Sequence, residues 1–176
     1  MTLIDPERSM MHKEEVAYGA SVTEALLKKL GGELNFLNTR HHETKRFTIN
    51  GIYSSSVIAT PYNAIDGIHV FEFAAEIFNA WIYNRAKGSS GTTSLDLKWK
   101  ANDSTVWTSV FSTVPSFTTT ASDNEMCGIG DVKTGFTAAI LGKSTFNAKD
   151  AIRMDLVSAM GGSPSGCGLI LQYRPR

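Results

Sequence analysis

The feature that most constrains the fold is a strict alternation of apolar and polar residues across positions 93–100. Leu95, Leu97 and Trp99 share one side, and the polar residues between them share the other. A period of two is typical of a half-buried strand, whereas a helix would scatter these residues around its axis. Similar short segments, separated by turn residues, recur to the C terminus and number about eight or nine. With no alternation of strands and helices, they predict a mainly β, antiparallel β-sandwich or jelly-roll-like domain.

A central hairpin is predicted over residues 66–100. Positions 74–85 fit either a short helix, because apolar residues recur there every four positions, or a continuing strand, because aromatic and β-branched residues are dense. The strand is favoured, since the Gly/Ser tetrad at 88–91 would then close a hairpin onto Thr92. Further turns are predicted at Asn50-Gly51 and Asp66-Gly67. Residues 118–135 are predicted to form a long irregular loop of the kind that is functional or ordered by a partner.

Before the β-rich part, the sequence predicts an extended arm over residues 1–20 and one helix over residues 21–41. Ser21 and Glu24 have the spacing of a capping box. Apolar spacing of three and four residues gives a heptad seam, formed by Thr23, Leu27, Leu30, Leu34 and Leu37. The helix either packs on its own sheet or bundles with copies of itself. The predicted division is residues 1–45 for assembly and anchoring and residues 46–176 for the β-sandwich, joined by a polar linker over 40–46.

Composition excludes several classes of protein. The 176 residues carry 17 Lys and Arg against 17 Asp and Glu, and a neutral chain is poorly suited to binding nucleic acid. No apolar run reaches the length of a membrane span, and the charged N terminus lacks the apolar core of a signal peptide. Cys127 and Cys167 are expected as reduced thiols, with a disulfide left open, and their spacing fits no zinc module.

No catalytic motif occurs, so no catalytic residue, cofactor or metal is predicted. The adjacent His41 and His42 diverge too far to share an ion, and His69 is expected as an ordinary strand residue. Asp96 and Asp155 are strand carboxylates that would suit glycoside hydrolysis if they were close together. Nothing in the sequence brings them together, and they are expected to face solvent.

Aromatic residues offer one candidate ligand platform. Trp99 and Trp107 fall on adjacent predicted strands and could stack against sugar rings, with Trp81 as a third candidate. The more ordinary interpretation is that they belong to the core of the domain.

Three segments carry a resemblance to a known group of proteins. They are GSSGTTSLDL at 88–97, WTSVFSTVPS at 107–116 and AKDAIRMDL at 148–156. Together they resemble a loose group of tailed-bacteriophage virion proteins, over about residues 66–173. The chain departs from that group at Lys149, where those proteins carry glycine before the aspartate. The resemblance implies a β-sandwich displayed on a capsid, collar or tail fibre, as a closed oligomer behind an N-terminal anchoring segment, with structural rather than catalytic motifs.

The expectation is therefore a non-enzymatic virion structural protein, made in the host cytoplasm. Its partners would be copies of itself, with a trimer as the first expectation and larger rings open, and other virion proteins bound through residues 1–40. No nucleic acid or membrane is expected as a partner. The alternative is a carbohydrate-binding module that attaches to a glycan on the host surface through the tryptophans and the 118–135 loop. A polysaccharide lyase or hydrolase is a third interpretation.

Overall fold

The computed structural model describes residues 42–53 and 62–176. The N-terminal arm, the 21–41 helix and its seam lie outside the described residues. Within the described part the chain is mainly β, every strand pairing is antiparallel, and no helix occurs. These observations confirm the predicted fold class at that level, while the finer sandwich or jelly-roll assignment stays a prediction.

Six of the thirteen strands in the described residues are eight to twelve residues long, and the other seven have two to four residues. In chain order the strands are β1 Glu43–Ile52, β2 Tyr62–Val70, β3 Ala75–Ala86, β4 Thr92–Lys100, β5 Thr108–Ser109, β6 Phe111–Thr113, β7 Ser116–Thr118, β8 Glu125–Gly128, β9 Phe136–Thr137, β10 Ile140–Leu141, β11 Thr145–Phe146, β12 Ala151–Ser158 and β13 Ser165–Pro175.

Two larger sheets contain most of these strands. Sheet A has the order β1-β13-β3-β11, with β8 also paired to β3, and sheet B has the order β2-β12-β4-β7-β9, with β5 also paired to β4. Strands β6 and β10 form a small separate pair.

A single hydrophobic core contains residues from both sheets. Phe71, next to β2 of sheet B, has its ring 5.0 Å from that of Phe146 and 5.3 Å from that of Tyr173, both in sheet A. On β12 the apolar residues Ile152 and Met154 alternate with more polar ones and are fully buried. Burial of such side chains is the main term that stabilises a domain of this kind.

The strand interpretation of residues 74–85 is confirmed by β3, but the predicted central hairpin is wrong. Strand β3 pairs with β13, β8 and β11, whereas β4 pairs with β12, β7 and β5. The segment between them crosses from sheet A to sheet B. A Cβ on Gly88 would lie 2.2 Å from the Gly161 carbonyl oxygen, and Ser89 N donates to that same oxygen at 2.9 Å. Glycine is needed at 88 for close approach to another backbone rather than for a tight turn.

Two of the predicted turns are bulges inside strands. Gly51 lies within β1 at φ +79°, where the pairing with β13 shifts between Ile49 and Ile52. Asp66 and Gly67, at φ +60° and +80°, lie within β2 beside a similar shift. Because a bulge and a turn need the same positive φ, the dipeptides do not distinguish the two.

Residues 118–135 are predicted to form an irregular loop. That prediction is wrong for the part that forms strand β8. Its Cys127 pairs with Ile82 of β3. Lys87 fastens the preceding residues to sheet A, because its Nζ donates to the Ala121 carbonyl at 2.7 Å and its backbone N donates to Asp123 Oδ1 at 2.8 Å.

Candidate functional site

The structure brings Asp96 and Asp155 together. They are directly opposite in the antiparallel register of β4 and β12, and they are only 3 % and 2 % exposed. The expectation that they face solvent is therefore wrong. They do lie on the side of sheet B away from the core, but the chain after β4 folds back over that side and covers them.

Asp96 is held by one cation and one hydroxyl. Lys98 Nζ lies 2.7 Å from Asp96 Oδ2, and Ser109 Oγ donates to Asp96 Oδ1 at 2.7 Å. Lys98 follows Asp96 by two residues on β4, so both side chains leave the same face of the strand. Ser109 is paired with Lys98 across the β4–β5 hairpin, which places its hydroxyl over the carboxylate.

Asp155 is held by the residue two positions before it. Arg153 Nη2 donates to Asp155 Oδ2 at 3.1 Å, and Arg153 Nε lies 3.0 Å from Asp155 Oδ1 as an ion-pair contact without the direction of a hydrogen bond. The guanidinium carbon is 4.4 Å from the centre of the Trp107 ring. An aromatic ring attracts a cation that lies over its face, and the attraction is stronger when the cation is partly removed from water.

These groups form a neutral ionic network of two carboxylates, two cations and one hydroxyl, defined here as Asp96, Lys98, Ser109, Arg153 and Asp155. Hydrolysis of a glycoside needs one carboxylic acid able to give up a proton and a second carboxylate free to act as nucleophile or base. Each carboxylate here is instead bonded to a cation. Both carboxylates and both cations of the network line an open concavity of about 440 Å³, together with Ser94, Trp107, Val114 and Val157. What the contacts show is a connection within sheet B, because the residues of the network lie on β4, β5 and β12.

The three segments that carry the sequence resemblance meet at this network. Segment 88–97 supplies Asp96, segment 107–116 supplies Trp107 and Ser109, and segment 148–156 supplies Arg153 and Asp155. Sequence reasoning missed Lys98, Ser109 and Arg153. The i, i+2 spacing of opposite charges in Asp-Leu-Lys and Arg-Met-Asp was the available signal, but only the strand register shows that the two pairs lie side by side.

The structure does not bring Trp99 and Trp107 into one platform. Trp99 packs against the core, with its ring 6.2 Å from Phe146 and Lys143 Nζ 4.1 Å above it. Trp107 lies on the other side of sheet B, over Arg153.

His69 lies in a small cavity of about 220 Å³ lined also by Glu43, Glu72 and Tyr173. Its ring is 5.5 Å from that of Tyr173, whose hydroxyl donates to Glu43. His69 Nε2 is buried and has no hydrogen-bond partner among the described residues. Burial, with a smaller contribution from Lys45, holds the pKa of His69 below its ordinary value of 6.5, while Glu43 and Glu72 oppose the shift.

The stability of the domain should fall as the pH falls below about 6.5, the unfolded value for histidine. Because the pKa of His69 is lowered in the folded state, the unfolded chain takes up the proton first, and acid therefore favours unfolding. Thermal unfolding between about pH 7.5 and pH 5.5 measures this loss of stability, in a pH range above the ordinary pKa values of carboxyl groups. The variant His69→Gln should lose part of the slope, and an unchanged slope in that variant would contradict the assignment.

Both cysteines are buried free thiols. Burial raises the pKa of Cys167 to about 12, although a hydrogen bond with Tyr53 opposes the shift, and burial likewise raises the pKa of Cys127. Within residues 42–53 and 62–176, no group of three or more His, Cys, Asp or Glu side chains is placed to hold a metal ion. In the same part of the chain, no helix is long and apolar enough to cross a membrane.

Comparison with known proteins gives no function or site that can be assigned to this chain. No family model and no curated protein matches the sequence. Among solved structures, the chain is similar to the capsid of Ralstonia phage GP4, with 10 % identity and a TM-score of 0.46, over 78 % of this chain and 86 % of that chain. At these values the likeness transfers neither a function nor a site to the present chain.

Proposed function

We propose that this chain is a non-enzymatic structural protein of a bacteriophage virion, made in the host cytoplasm and built into the particle. Residues 46–176 would be a displayed β-sandwich. Residues 1–40 would attach the protein to other virion proteins, and the seam helix within residues 1–45 would join it to its own copies. The proposal rests on one observation. The three segments that resemble phage virion proteins converge on the neutral ionic network and supply side chains that hold strands of sheet B together.

The physical character of that network supports a structural role. Both carboxylates are almost fully buried and ion-paired, and the Trp107 ring covers the Arg153 guanidinium. A catalytic carboxylate has to meet its substrate and exchange a proton with it. Because buried ion pairs add little net stability compared with apolar residues, the role proposed for this network is to fix the pairing of β4, β5 and β12.

Self-association through the seam is tested by placing a charge on it in the full chain. Leu30→Glu and Leu34→Glu should each dissociate the oligomer, because a carboxylate buried among leucines is costly to desolvate. Light scattering on a sizing column measures the mass, and a trimer of the 19.2 kDa chain is the first expectation. Lys28→Gln, which changes the charge by the same amount off the seam, is the matched control and should keep the oligomer. A Leu30→Glu variant that keeps its oligomeric mass but unfolds at lower temperature would place the helix in the protomer core instead.

A further inference from the structure

A second open concavity, of about 500 Å³, lies on the side of sheet A that faces away from the core. Its position follows from the strand register. Thr48, Gly168 and Tyr83 lie side by side on β1, β13 and β3, and Arg46 lies in the neighbouring row, opposite Ile170. On β3 the outward residues alternate with buried ones such as Ile82.

Three outward side chains near the end of β3, those of Trp81, Tyr83 and Arg85, each lie over a glycine of a neighbouring strand. A Cβ on Gly168 would be 2.8 Å from Tyr83 Cε1, and a Cβ on Gly166 would be 3.0 Å from Arg85 Cβ and Cδ. A Cβ on Gly128 would in the same way be 2.7 Å from the Trp81 indole. Because glycine has no side chain, the Tyr83 ring can rest on the backbone of the sheet, and the ring itself lines the concavity.

The charge of the concavity is positive. Arg46 and Arg85 both line it, both are exposed, and neither is in an ion pair with any described residue. Glu125, the carboxylate among its described lining residues, is already engaged, because its Oε1 lies 3.4 Å from Lys133 Nζ and its Oε2 accepts from Ser122 N at 3.3 Å. Two guanidinium groups are therefore available to an anionic ligand.

We infer that this face of sheet A, at Arg46, Tyr83 and Arg85, binds a saccharide that carries carboxylate groups. Guanidinium groups bind carboxylates in a planar, bidentate manner, and an aromatic ring held against a sheet offers a flat apolar surface to a sugar ring. Thr48 and Asn124 add a hydroxyl and an amide that can pair with sugar hydroxyls. Rows on one face of a strand are about 7 Å apart, so the rows of Arg46 and Arg85 span two such steps, which suits a short oligosaccharide.

A polymer of phosphates is a poorer occupant. Binding to nucleic acid depends on many cations arranged along the backbone. The chain as a whole is neutral, with 17 basic and 17 acidic residues, and the concavity contributes two arginines beside one carboxylate.

Titration calorimetry of the full chain with trigalacturonate and with sialyllactose tests the inference. At least one of the two should bind, and its methyl ester, which removes the negative charge and adds only a methyl group, should bind about tenfold more weakly. Arg46→Gln and Arg85→Gln should each weaken binding by about tenfold. Arg176→Gln, the same change at an exposed residue outside the described concavities, should leave binding unchanged.

The tyrosine variants separate the ring from its hydroxyl. Tyr83→Phe keeps the ring over Gly168 and should retain most of the binding, whereas Tyr83→Leu should weaken it by about tenfold. Thermal unfolding of each variant shows that the fold is kept. The inference is overturned if neither saccharide binds, if the methyl esters bind as well as the acids, or if a single-stranded DNA oligomer binds equally tightly with the same dependence on the arginines.

Discussion

Replacing Arg153 by Met should lower the free energy of unfolding by about 3 kcal/mol. The Asp155 carboxylate is 2 % exposed and would lose the guanidinium that now contacts both of its oxygens. The Trp107 ring would also lose the cation stacked 4.4 Å from its centre. Methionine keeps most of the volume and the apolar stem, so the loss reports the charge and its hydrogen bond rather than a cavity. Denaturant unfolding followed by fluorescence measures the difference.

The same substitution at Arg174 is the matched control. Arg174 pairs with Glu76 at 2.8 Å, but the two side chains are 43 % and 33 % exposed. Because water screens and replaces an exposed ion pair, Arg174→Met should cost no more than about 1 kcal/mol. If the two variants lose the same free energy, burial of the ionic network has no part in the stability of the domain, and its assignment as a structural element fails.

Replacing Gly135 by Ala should cost about 3 kcal/mol, from two causes that add. Gly135 has φ +77°, a conformation that side chains with a Cβ rarely adopt. A Cβ there would also lie 2.1 Å from the backbone N of Ala121, so one of the two chain segments has to move. Since Thr118 N donates to the Gly135 carbonyl at 2.8 Å, that movement would disturb the end of β7 as well.

Gly130→Ala separates the two causes. Gly130 has nearly the same backbone angle, φ +78°, but among the described residues no atom beyond Gly130 and its two chain neighbours lies within 4 Å of the position its Cβ would take. This variant therefore meets only the conformational cost, about 1 kcal/mol. Thermal unfolding of both variants gives the comparison, and equal losses would show that the contact of Gly135 with Ala121 does not constrain the fold.

Local patterns in the sequence predicted the strands well but not their partners. Leu95 and Leu97, like Ile152 and Met154, are two residues apart and are buried on one face of their strand. This alternation can be recognised within a short stretch of sequence, because side chains two residues apart lie on the same face of a strand. The partner of β3 depends on residues about ninety positions away in β13, and no local pattern reports such a pairing. A glycine-rich connection was therefore interpreted as a hairpin when it passes between sheets.

The candidate site shows the same limit. Alternation correctly placed Asp96 on the face opposite Leu95 and Leu97, but it does not tell whether that face meets water or another part of the chain. Ser109 and Trp107, on the segment after β4, decide the burial of this site. The outer face of sheet A was missed for a related reason, because Tyr83 and Arg85 become part of a site only once Gly168 and Gly166 lie beside them.

The proposal of a self-associating virion protein is tested most directly by the solution mass of the unaltered full chain. Light scattering on a sizing column, repeated over a range of concentrations, should give a multiple of 19.2 kDa, with three copies as the first expectation. A mass of one chain at every concentration would contradict self-association through residues 1–45.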